Sequence, residues 1–205
     1  MNRRFAALLV PCVLACGSAA GAAAQAPADT VRGALRYTSA DVDFMSGMIA
    51  HHAQAVAMAR WAPSHGASSS VQTLCLRIIN AQTDEIALMQ RWLGDHHQPV
   101  PAADPRGMRM AGMDQPMLMP GMLTPVQMAQ LDSARGPEFD RLFLRFMIQH
   151  HGGAVSMVNH LFAQGAGEEE TVFKFASDVY ADQTTEIDRM QKMLVALLFA
   201  VPSGQ

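Results

Sequence analysis

Two histidine pairs, His51-His52 and His150-His151, each follow a methionine, in "MIAHH" (48–52) and "MIQHH" (147–151). The two copies stand 99 positions apart in a chain of 205 residues. On a helix, residues three and four apart share a face, so Met48 lies one turn below His51 and His52, and Met147 lies below His150 and His151. Imidazole nitrogen binds both copper states, whereas a thioether is soft and selects Cu(I). Di-iron bundles place a glutamate three residues before the histidine, because hard oxygen suits iron and manganese. Here a methionine stands there in both copies, which argues against oxidase or ferroxidase chemistry of that type.

A second concentration of sulfur lies between the copies. "MRMAGMDQPMLMPGM" (108–122) holds six methionines, Met108, Met110, Met113, Met117, Met119 and Met122, in a Pro- and Gly-rich stretch with no helical period. The whole chain has 16 methionines, more than a core needs for filling gaps. Exposed thioethers are an oxidation liability, but they make sense as ligands for Cu(I), or for Ag(I) as its surrogate. The alternative is a hydrophobic lid. His96 and His97 open the same stretch and can add imidazole.

Those residues need helices to carry them. Aromatics make up 6% of the chain while Ala, Met, Leu and Gln are plentiful, a composition that favours helix over strand. The first helix is predicted to start at Thr38 or Ser39, with Asp41 in its first turn, and to run to about Ala62. The second follows the serines at 68–70 and closes at Gly94. Residues 95–124 form the Met-rich crossover loop, and Thr124-Pro125 begins a short helix. After Gly136-Pro137 a long helix runs to about Gln164, and a last one runs from about Glu168 to Ala200.

The halves repeat. "MIAHHAQAVAM" (48–58) and "MIQHHGGAVSM" (147–157) share seven residues of eleven, and "QTDEIALMQRWL" (82–93) and "QTTEIDRMQKML" (183–194) share seven of twelve. Each half is read as a helical hairpin whose apolar stripe needs the other half to cover it. The fold class predicted is all-α, a four-helix bundle of two repeated hairpins spanning 38–200.

At 100° per residue, Asp41, Phe44, Met48, His51, Ala55 and Met58 fall on one stripe, with His52 and Met45 on its flank. Phe143, Met147, His150, Ala154 and Met157 repeat the stripe, flanked by His151, and Arg141, Arg145, Gln149, Ser156 and Asn159 form the solvent face. The partner helices send Gln82, Glu85 and Met89, and Gln183, Glu186 and Met190, into otherwise apolar faces. A buried carboxylate is costly unless it is paired, hydrogen-bonded or bound to metal. Two readings fit: a His–Glu–Gln hydrogen-bond layer that fixes helix register, or a metal-binding layer.

Arg3 and Arg4, an apolar run over 5–15 and small residues through Ala26 read as an export signal, with Ala22-Ala23-Ala24 as the cleavage site. Val13-Leu14-Ala15-Cys16 offers a lipobox instead, which would anchor the protein by a lipid on Cys16. Residues 27–37 are then a tether. Cys12 and Cys16 belong to the signal, so Cys75 stands alone and no internal disulfide is expected. A net charge of −3 gives a nucleic-acid partner no electrostatic support.

The combination M-I-x-H-H-x-x-A-V-x-M with a later Q-x-x-E-I-x-x-M-x-x-W/M-L resembles the domain of unknown function 305 family. The resemblance covers roughly residues 38–199, "MPGMLTPVQM" (119–128) included. It implies a ferritin-like fold and, from the periplasmic CopM-type members, copper held by His and Met. By that resemblance His51, His52, Met48, Met58, Gln82, Glu85 and Met89 carry over, as do His150, His151, Met147, Met157, Gln183, Glu186 and Met190. One departure is that the family's glycine two residues after the pair, kept as Gly153, is Gln54 in the first half.

The reading is an exported metal-binding protein that sequesters or hands on copper, as Cu(I) or Cu(II), in the cell envelope. Its partners would be the metal ion and another envelope copper protein. The competing readings are a ferritin-like redox metalloenzyme and a metal-free helical interaction module. No nucleophile–base motif is visible.

Overall fold

The computed structural model describes residues 37–109 and 112–199. The predicted signal and lipobox, residues 27–36 of the tether, Met110 and the end of the chain from Ala200 lie outside the described residues. Five helices make up the described fold: α1 (Ser39–Arg60), α2 (Ser69–Asp95), α3 (Pro125–Ser133), α4 (Pro137–Ala163) and α5 (Glu170–Phe199). Among the described residues there is no strand; one isolated antiparallel bridge joins Met108 to Met117.

The caps explain the boundaries. Thr38 caps α1 in a reciprocal box: its backbone N–H donates to Asp41 Oδ2 at 2.6 Å, and Asp41 N–H donates to Thr38 Oγ1 at 3.3 Å. Ser68 and Thr124 cap α2 and α3, and Pro125 takes the first turn of α3. Two expected ends shift. α2 passes through Gly94 to Asp95, and the left-handed turn falls on His97 at φ 55°. α5 starts at Glu170 rather than about Glu168, because the Glu169 carboxylate serves as its cap, accepting Val172 N–H at 2.9 Å and Trp92 Nε1–H at 3.1 Å.

α1 packs along α2 and α4 along α5; the pairs meet through α1 and α4, and α3 rests on α4. The sequence repeat has a structural counterpart. Asp41 and Asp140, 99 positions apart, are both buried. Asp41 Oδ1 accepts the N–H of Gly167 at 2.7 Å, and Asp140 accepts the N–H of Ser68 at 3.2 Å. Ser68 and Gly167 are again 99 apart, so each half clamps the turn of the other.

Apolar burial supplies the drive, about 1.5–3 kcal/mol for each fully buried large side chain. It comes in two clusters. Met58, Ile78, Phe139, Phe143, Met147 and Met190 centre one, and Phe44, Met48, Met89, Trp92, Val158 and Val179 centre the other. Along all four long helices the boundary between the clusters is polar: His51-His52, Gln82 and Glu85, His150-His151, Gln183 and Glu186.

The crossover is held more firmly than its Pro/Gly composition predicts. Gln54 binds it three times: its Oε1 accepts Leu123 N–H at 2.6 Å, and its Nε2 donates to the carbonyls of Leu123 and Pro105, both at 3.1 Å. Gly153 lets it approach α4, since a Cβ there would lie 2.6 Å from Gly121 Cα. The Gln54/Gly153 difference between the halves follows: the strap is tied to one half and passes over the other. α1 is consequently covered on most of its circumference.

Candidate metal centre

The polar layer is closed at its histidines and partly open at its carboxylates. His51, His52, His150 and His151 are each 0% exposed, a burial that imidazole tolerates only with partners or in its neutral form. His51 and His150 lie against each other with ring centroids 3.8 Å apart and planes tilted by 38°, while the centroids within each pair are 6.2 Å apart in both halves. His51 Nε2–H donates to the Pro120 carbonyl of the crossover at 3.0 Å, which leaves His51 Nδ1 buried without a partner. His150 has no partner on either ring nitrogen.

The outer histidines face the carboxylates. His151 Nε2–H donates to Glu186 Oε2 at 2.7 Å. His52 Nε2 stands 2.7 Å from Glu85 Oε2, but off the line a hydrogen bond needs, so this contact is a close approach and not a formed bond. The Nδ1 atoms of both and the Oε1 atoms of Gln82 and Gln183 are buried and unpartnered.

Burial, reinforced by His52, pushes the His51 imidazole down to about 3 from 6.5. His150 is driven well below its usual value by burial and then by the neighbouring His51. His151 is lowered by burial, against the pull of Glu186. Near neutral pH these three rings are therefore uncharged, the state in which imidazole can ligate.

Between α2 and α5 a cavity of about 380 Å³ opens onto the layer, lined by Gln82, Glu85, Asp182, Gln183 and Glu186 with Arg77 and Arg189 at its sides. Desolvation and then Glu85 and Glu186 hold the Asp182 carboxyl above the usual range. Asp182 was not anticipated; its position directly before Gln183 is the only hint the sequence carries.

The candidate methionines sit in different surroundings. Met48, Met58, Met89, Met147 and Met190 are fully buried, in the apolar clusters that border the histidine layer. Met108 and Met117 exchange backbone hydrogen bonds at 2.9 and 2.8 Å, and Met113 is exposed. Met119 and Met122 turn towards the helices: Met122 is buried and its Sδ accepts Met119 N–H at 3.3 Å. Met157 is half-buried near Met119. His96 is engaged elsewhere, its Nδ1–H donating to Trp92 O at 2.7 Å and its ring lying against Tyr37 and Trp92. Cys75 is buried and free, its thiol pushed up to about 12 by burial.

Among the described residues no group of three or more His, Cys, Asp and Glu side chains stands ready to hold a metal ion. A metal here must recruit methionine sulfur or part the His51 and His150 rings. The donor set fits a soft ion: unpartnered imidazole nitrogens bordered by thioethers, away from water.

The fold and site define an all-α domain with a buried histidine layer set between methionine-bearing clusters. The chain belongs to the family described as Domain of unknown function (DUF305), matched over residues 41–194. Among solved structures, a DUF305 fragment from Deinococcus radiodurans is 30% identical with a TM-score of 0.65, over 78% of this chain and 97% of that one. A secreted DUF305 protein from Streptomyces coelicolor is 28% identical with a TM-score of 0.66, over 77% and 93%. CopM in its Cu(II)-bound form is 30% identical with a TM-score of 0.60, over 76% and 95%, and CopM has also been solved in Cu(I)- and Ag-bound forms. No curated protein matches the chain.

Proposed function

We propose that this chain is an exported copper-binding protein that sequesters copper, or hands it on, in the cell envelope. The carrying observation is His150, wholly buried with neither ring nitrogen partnered and its ring packed at a tilt against His51. A buried polar atom left unpaired costs about 1–3 kcal/mol, and a site that bears such a cost in its metal-free state is explained if a metal ion is the missing partner. The similarity to CopM, solved with Cu(I), Cu(II) and Ag, supports the choice of metal. Export is supported by the basic-then-apolar start of the chain and by the secreted relative from Streptomyces coelicolor.

In this reading the four long helices form a ferritin-like bundle of two hairpins. His51, His150, Met48 and Met147 supply the inner ligands, while Met58, Met89, Met157 and Met190 are soft donors on either side. Glu85 and Glu186, with His52 and His151, serve the mouth between α2 and α5, drawing the cation in. The crossover methionines, Met108, Met110, Met113, Met117, Met119 and Met122, are the further set of Cu(I) donors. Because the His51 and His150 rings lie in close contact, loading must part them.

Protein purified from the periplasm should carry copper, and equilibrium titrations should show uptake of Cu(I), Cu(II) and Ag(I) with Zn(II) a poor competitor. Purification without copper, combined with failure to take up any of the three, would falsify the reading.

A further inference from the structure

A groove of about 520 Å³ runs between the start of α1 and the end of α4, on the face crossed by the strap. Its lining brings together Met119 of the crossover and Met157 and His160 of α4, with Asp43 at the rim. Met157 and His160 are three residues apart on one helix, so they present a thioether and an imidazole on the same face. This is a third Met-x-x-His spacing in the chain; its methionine closes the second repeat and its histidine lies beyond it.

Gly47 shows that the groove is shaped around sulfur. A Cβ at that position would stand 2.8 Å from Met119 Sδ and 3.5 Å from Met157 Cε. The absence of a side chain at 47 therefore lets the Met119 thioether settle against α1, beside Met157. Met119 is also fixed from behind, since its backbone N–H is bonded to Met122 Sδ and the next residue, Pro120, holds His51. His160 is exposed and Met157 half-buried, so the donors meet solvent.

We propose that Met119, Met157 and His160 form a soft-cation site for Cu(I) or Ag(I) at the surface, separate from the buried histidine layer. It rests on the copper-binding reading and deepens it, because the site has the chemistry to receive an ion from outside. Two thioethers and one imidazole select a monovalent soft ion, and two of the three donors, Met119 and His160, are outside the repeated motif. The strap joins this site to the inner one: an ion that pulls on Met119 pulls on the segment whose carbonyl orients His51.

The test is an Ag(I) titration of the full mature chain labelled with 13C at its methionine methyls, followed by NMR together with the histidine ring protons. The Met119 and Met157 methyls and the His160 ring should shift together along one isotherm. His160→Ala, an exposed substitution, should weaken that isotherm by at least the roughly tenfold that loss of an outer-shell partner costs a metal site. Gly47→Ala, which displaces the Met119 sulfur, should weaken it too, while the His150 resonances still respond to excess Ag(I). If the Met119 and Met157 methyls stay still while His51 and His150 respond, the surface site is refuted and the copper reading survives. Unchanged affinity in His160→Ala overturns the proposed ligand set. No response anywhere removes the copper reading itself.

Discussion

His51 and His150 lie ring against ring in the buried layer, centroids 3.8 Å apart and planes tilted by 38°, yet only His51 has a hydrogen-bond partner, the Pro120 carbonyl at 3.0 Å. The two rings come from equivalent positions of the repeat, so their different hydrogen bonding is imposed by the single crossover strap, which has no second copy. His150 is the ring left open.

Replacing His150 by Leu should stabilise the metal-free protein, because it removes two unpartnered polar atoms from an apolar interior. The expected gain is about 1 kcal/mol, the lower end of what an unsatisfied buried group costs. Copper affinity should fall in the same variant. Chemical denaturation and Cu(I) titration of one preparation read both effects; a loss of stability together with intact affinity would assign His150 to structure alone.

The metal-free protein should weaken in mild acid. The folded-state pKa values of His51, His150 and His151 are lowered, so below the unfolded value of 6.5 the unfolded chain binds more protons than the native one. Stability is thus complete above 6.5 and declines as the pH falls from there towards about 3, the folded value for His51. Urea midpoints measured from pH 8 down to 4 should drop mainly below 6.5, and saturating Cu(I) should oppose the drop.

Much of this was legible in the chain. Period and caps placed the helices, and the repeat marked both histidine pairs and the Gln/Glu positions facing them. What the sequence left open was which histidine meets which partner. Helical phase put His51 and His52 on neighbouring bearings, but only the packing of α1 on α4 sets His51 against His150 and sends His52 and His151 to the carboxylates. The hold on the strap is not legible in its composition, because Pro and Gly content speaks of backbone freedom and not of what the backbone meets. The bonds from Gln54 and the bare Cα of Gly153 are long-range partners with no local signature. Asp140 was missed for the same reason: its carboxylate serves a turn 72 residues away.

Gln54→Ala should loosen the crossover. It leaves Leu123 N–H buried and unpaired and deletes both donations from Nε2, at a cost of about 1–3 kcal/mol. Hydrogen exchange over residues 104–123 should accelerate while the four long helices keep their protection. Protection unchanged in the strap would show that Gln54 is not its anchor.

Asp140→Asn keeps the volume but removes the charge that accepts Ser68 N–H. Charge-assisted bonds of this type contribute about 1.5–3 kcal/mol, and the loss should appear as a lower thermal midpoint. Asp41→Asn should behave alike, since Asp41 clamps Gly167 in the matching way. A large effect from one and none from the other would break the equivalence of the halves.

The helices should not depend on metal. Two apolar clusters hold them, unlike small metal domains that unfold without their ion. Circular dichroism after chelation should keep its helical signal, and collapse of that signal would give the ion a structural role.

The most direct measurement is anomalous diffraction at the copper edge from crystals of the Cu(I)-loaded protein. A copper peak is expected within reach of His51 or His150 in the buried layer, with the two rings parted and sulfur among the ligands. Copper confined to the surface, with His51 and His150 still in contact and His150 still unpartnered, would contradict that expectation.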